Sequence, residues 1–93
     1  MPTGNVQLDF GAFPGNTDAT AVITGQSAIT GASYVEAWIA PEATTDHSAD
    51  EHWVNPPRVV AGGLVAGTGF TVYGMTADHK RVWGKWTVDW VWT

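Results

Sequence analysis

The chain contains no cysteine, and only four of its 93 residues are basic. Without cysteine there are neither disulfides nor thiolate metal sites, and the redox compartment goes unread. Three of the basic residues sit close together at Lys80, Arg81 and Lys85, and the formal net charge is −5. Binding to nucleic acid draws on many Lys and Arg side chains that displace counterions from phosphates, so no nucleic-acid partner is expected. No apolar run approaches the roughly 18 residues of a membrane helix, and no membrane partner is expected. The first twenty residues lack a basic stretch followed by an apolar one, which argues against a signal peptide. The expectation is a soluble protein.

Charge of either sign is scarce: Asp, Glu, Lys and Arg make up 14% of the chain, against about 25% in ordinary globular domains. Much of the surface is therefore neutral, as suits a chain that hides part of it in an assembly. At 44% hydrophobic content there is material for one core and one domain spanning residues 1–93. A domain this small buries only about two-thirds of its unfolded surface, and association with further copies is a common remedy.

What is present has period two. Val6, Leu8 and Phe10 alternate with Gln7 and Asp9, the pattern of a strand with one buried face. "GAFPGN" ends it. Ala19, Ala21 and Ile23 alternate with Thr20, Val22 and Thr24, and Val35, Ala37 and Ile39 alternate with Tyr34, Glu36 and Trp38 up to Pro41. Residues 42–57 are polar and end in two prolines, so they read as an excursion between strands. Strand character resumes at Arg58 to Ala61, with a turn or bulge at Gly62 and Gly63, and again from Phe70 to Met75. "TADHK" reads as a turn, with His79 a turn residue. The last segment, "RVWGKWTVDWVWT", puts Val82, Trp86, Val88, Trp90 and Trp92 on one face and Trp83, Lys85, Thr87, Asp89 and Val91 on the other. About six or seven short strands between glycine-rich turns predict an all-β domain, a small antiparallel β-sandwich or barrel, with one short helical turn near residues 46–53.

"DHSADEHW", residues 46–53, gathers three carboxylates and two histidines. Asp46, His47, Asp50, Glu51 and His52 are chemically able to ligate a divalent metal such as zinc, iron or manganese. On a helix Asp46 would share a face with Asp50, and His47 with Glu51. The histidines, five apart, would not share one, and the spacing of a calcium loop is missing. The competing reading is structural. Ser48 and Glu51 have the spacing of a capping box, with the serine hydroxyl and the glutamate carboxylate each satisfying the other's backbone N–H. Capping is the preferred reading, with a metal bound within one chain or between subunits as the alternative and no other cofactor expected.

No enzyme is expected. There is no G-x-S-x-G elbow, and Ser48 has no evident base. Two acids on a turn are weak grounds for glycoside hydrolysis. "GGLVAGTG", residues 62–69, lacks the lysine of a phosphate loop.

Four tryptophans fall between residues 83 and 92, with Trp38 and Trp53 elsewhere. Trp86, Trp90 and Trp92 share the parity of Val82 and Val88 and are assigned to the core. Trp83 and Trp38 have the opposite parity. With Trp53 they are candidate contacts for another subunit or for a ligand, and an exposed row would suit carbohydrate, with Lys85 and Asp89 offering hydrogen bonds beside it.

The stretches "VQLDFGAFPGNTDATAVITGQ", "TTDHSADEHW", "GTGFTVYGM" and "GKWTVDWVW" together resemble a family of short, uncharacterised proteins of tailed bacteriophages. The resemblance covers nearly the whole chain and implies a virion protein, a capsid decoration or tail component assembled in the host cytoplasm. It brings no catalytic residues. Members can be longer between "GTGFTVYGM" and the last strand, where this chain has only "TADHK", which favours a scaffold-like role over a host-surface adhesin. The expectation is a structural protein that self-associates, a trimer or other cyclic oligomer, and contacts other virion proteins.

Overall fold

The computed structural model describes residues 2–54, 56–76 and 80–93; most of the expected turn in "TADHK", with His79, lies outside them. Among the described residues six strands follow one another, β1 (Thr3–Asp9), β2 (Asp18–Ile23), β3 (Val35–Ile39), β4 (Arg58–Val65), β5 (Gly69–Met75) and β6 (Lys85–Trp92), with a single helical turn, α1 (Glu51–Val54), between β3 and β4. They form two antiparallel three-stranded sheets, ordered β1-β6-β3 and β2-β5-β4. No helix among the described residues is long and apolar enough to cross a membrane.

The period-two pattern determines which side chains go inward. Leu8, Ile23, Phe70, Val72, Trp86, Val88, Trp90 and Trp92 meet between the sheets, with Phe10 and Ile29 completing the buried cluster. The parity argument thus holds for three of the four C-terminal tryptophans. Each buries on the order of 200 Å², so β6, the central strand of its sheet, contributes most of the indole area to the core. Trp90 lies edge-on to Phe70 with centroids 5.4 Å apart. It needs the absence of a side chain at Gly4, its cross-strand partner, where a Cβ would come within 2.4 Å of the ring.

Ile29 was not anticipated. It lies in the irregular connection between β2 and β3 yet is 2% exposed, held there by Gly67 N–H donating to its carbonyl at 2.8 Å.

The β2-β5-β4 sheet leaves its outer face open, and the strand register arranges that face in rows. Asp18, Met75 and Arg58 form one row, Thr20, Tyr73 and Val60 the next, and Val22, Thr71 and Gly62 the third. Val22, Val60, Tyr73 and Met75 are all exposed. The register of β4 slips between Gly62 and Val65, in keeping with the bulge expected at the glycine pair. At Gly63 (φ 57°) a Cβ would come within 2.7 Å of the Tyr73 hydroxyl, so the glycine lets the phenol lie along the neighbouring strand.

Candidate functional site

The charged segment is built against β6. β3 pairs with β6 from Val35↔Trp92 to Ile39↔Val88, and Ala40 N–H adds one more bond, to the Thr87 carbonyl at 3.0 Å. Beyond that point Lys85 and Thr87 would present unpaired backbone groups on this edge, and buried backbone groups require partners. The excursion supplies them. Thr44 Oγ1 donates to the Lys85 carbonyl at 2.8 Å, and Asp46 Oδ2 accepts from Lys85 N–H at 2.8 Å. His52 Nε2 accepts from Thr87 N–H at 3.0 Å, and Thr87 Oγ1 donates to the Glu42 carbonyl at 2.9 Å. The side chains of Thr44, Asp46 and His52 thus stand in for a missing strand beside the start of β6. Gly84 (φ 77°) makes the approach feasible, since a Cβ there would lie 2.7 Å from that of Asp46.

The capping box is present. Ser48 N–H donates to Glu51 Oε1 at 3.0 Å, and Glu51 N–H reaches Ser48 Oγ at 3.4 Å. The Glu51 carboxylate also meets His47 Nδ1 at 2.7 Å. That hydrogen bond, followed by the one from Ser48 N–H, holds the Glu51 carboxyl below its ordinary value.

The burial of the two histidines was not anticipated from the sequence. His47 is 5% exposed and His52 1%. His47 Nε2 lies 2.6 Å from the Trp83 carbonyl, so with a carboxylate at one nitrogen and a carbonyl at the other the ring has acceptors on both sides. Its ring stacks on Trp86 with centroids 4.0 Å apart and planes at 24°, and touches Trp83 at 4.7 Å. Stacking of the imidazole on the indole buries the faces of both rings. His52 is held between a donor and an acceptor: Thr87 N–H must donate to Nε2, so Nδ1 carries the proton and gives it to the Ser48 carbonyl at 2.8 Å.

Within one chain these bonds weigh against the metal reading. Every ring nitrogen of His47 and His52 is engaged, one Asp46 oxygen is held by Lys85 N–H, and Asp50 is exposed. Helix α1 starts only at Glu51, so the shared helical face expected for Asp46 and Asp50 does not form. Among the described residues no group of three or more His, Asp or Glu side chains is placed to hold a metal. His47 with Glu51 has the form of a catalytic base and its orienting acid. The second nitrogen of His47, however, is spent on the Trp83 carbonyl, so no lone pair faces a nucleophile.

The same side chains form the wall of a cleft of about 360 Å³, lined by His47, Asp50, Glu51, Arg81, Trp83 and Trp86. Trp83 is half-buried here, wedged between His47 and the highly exposed Phe13, whose centroid is 6.3 Å away. The expectation that Trp83 lies open with Lys85 and Asp89 is corrected accordingly: it precedes β6, and its ring packs on the docked excursion. Trp38 and Trp53 are exposed, at 44% and 65%. They lie on β3 and α1, and no ring contact joins them or links either to Trp83 among the described residues.

No protein-family model, curated protein or solved structure matches the chain.

Proposed function

We propose that this protein is a non-enzymatic structural module that pairs with a second copy of itself through the outer face of the β2-β5-β4 sheet. The observation that carries the reading is the unpartnered apolar area of Val22, Val60, Tyr73 and Met75 on one sheet of a charge-poor domain. Such a patch on a small soluble chain marks an interaction surface.

The charge order on that face favours a second copy as occupant. Asp18 and Arg58 flank Met75 in one row, and neither forms an ion pair among the described residues. A two-fold axis along β5 turns β2 of one copy over β4 of the other. Asp18 then faces Arg58 twice, with Tyr73 and Met75 each meeting their own equivalents. An isologous contact must be self-complementary in this way. The row favours a two-fold pair over the trimer expected from the sequence, and pairs can be the unit of a larger assembly. The resemblance to tailed-phage proteins extends the reading to a capsid decoration or tail component that docks on a neighbouring virion protein, performing no chemistry.

Light scattering tests the pairing. The wild type is expected at twice the 9.9 kDa chain mass, and Val60→Glu at the chain mass. Arg58→Asp should dissociate the pair, and Asp18→Arg combined with it should restore it. A wild type that stays monomeric at high concentration overturns the reading.

A further inference from the structure

We propose that the opposite face of the sandwich, the outer surface of the β1-β6-β3 sheet, binds a neutral saccharide on Trp38. The strand register sets Asn5, Asp89 and Trp38 in one row across the three strands. With Thr3 and Glu42 they line a cleft of about 420 Å³, within the range of small-ligand sites. The Trp38 ring is 44% exposed. The side chains of Asn5, Glu42 and Asp89 have no hydrogen-bond or ion-pair partner among the described residues.

Each element answers to one feature of a pyranose ring. The sugar's C–H face is apolar and matches an open indole. Its rim is a ring of hydroxyls, and carboxylates that accept from O–H make the stronger, charge-assisted kind of hydrogen bond. Asn5 adds an amide able both to donate and to accept. The sign of the charge selects among sugars. Asp89 and Glu42 line the cleft with no Lys or Arg among its described lining residues, so phosphorylated, sulfated or uronic ligands are repelled. Nucleotides, whose bases also stack on tryptophan, are excluded by their phosphates. The cleft faces away from the sheet proposed for self-association, so the two surfaces act independently and the failure of one leaves the other standing.

Amide shifts in two-dimensional NMR test the site, with mannohexaose, maltohexaose and cellohexaose titrated into the full chain to about 10 mM, a ceiling that captures millimolar dissociation constants. At least one of these is expected to move the amides of Asn5, Trp38 and Asp89. Trp38→Ala should weaken that binding at least tenfold, and Asp89→Asn by about tenfold, the loss of one charge-assisted bond. Trp53→Ala, which removes an exposed indole outside the cleft, should leave it unchanged. Trp38 lies on an outer face, so circular dichroism should show its alanine variant folded; if not, Asp89→Asn decides alone. Three silent titrations, or binding that survives both cleft variants, overturn the proposal. Tighter binding of dextran sulfate than of the neutral sugars overturns the assignment of ligand class.

Discussion

Replacing His52 by leucine tests whether the charged segment is a structural staple. The substitution keeps a side chain of similar volume in a site that is 1% exposed, so packing changes little. It removes the acceptor of Thr87 N–H, and Thr87 is itself buried. A buried donor left without a partner costs about 1–3 kcal/mol. The bond from Nδ1–H to the Ser48 carbonyl is lost as well, but Ser48 is exposed and water can replace it. The expected loss is therefore about 2 kcal/mol. For a domain of this size that lowers Tm by roughly 8–16 °C. Urea denaturation is the assay, with an unchanged m-value and a lower midpoint. Hydrogen exchange adds a local readout, since the Thr87 amide should lose its protection more than its neighbours on β6. Ser48→Ala serves as contrast: it touches only the exposed cap and should cost no more than about 1 kcal/mol. A His52→Leu variant within about 0.5 kcal/mol of wild type would refute the reasoning, because it would mean that the excursion does not cover β6 in solution.

Glu51 predicts an acid-side dependence. Its folded pKa is lowered from 4.5 by the His47 and Ser48 hydrogen bonds, so its contribution is fully present above that pH and is lost as the pH falls through the lower folded value. Glu51→Gln should flatten the decline of Tm between about pH 3 and 5, and identical declines would count against the His47–Glu51 pair. Ile29→Ala should cost about 2–5 kcal/mol if the connection between β2 and β3 is part of the core. A loss under about 1 kcal/mol, measured by urea titration, would show that the connection moves freely.

The layers of this fold were legible because alternation is a local property. Each strand with one buried face announces its inward residues, so Leu8, Val88 and the inward tryptophans could be assigned from parity alone, and the capping box at Ser48 and Glu51 from a spacing of three. Ile29 could not be found this way: a single apolar residue among polar ones has no period, and the bond from Gly67 N–H to its carbonyl comes from 38 positions on.

The charged segment divides along the same line. Its residue types and its helical start were written locally, with capping preferred and metal binding the alternative. How its side chains are engaged is visible only in the tertiary structure, because partners of the His47 and His52 nitrogens are Trp83 and Thr87, 36 and 35 residues away. The two outer faces follow the same rule. Sequence alone determined which residues point outward, since a pleated strand alternates whatever its neighbours. Only the pairing register could bring Asp18 and Arg58 to either side of Met75, and Asn5 and Asp89 into line with Trp38, because register joins residues from separate strands through hydrogen bonds that no local pattern encodes.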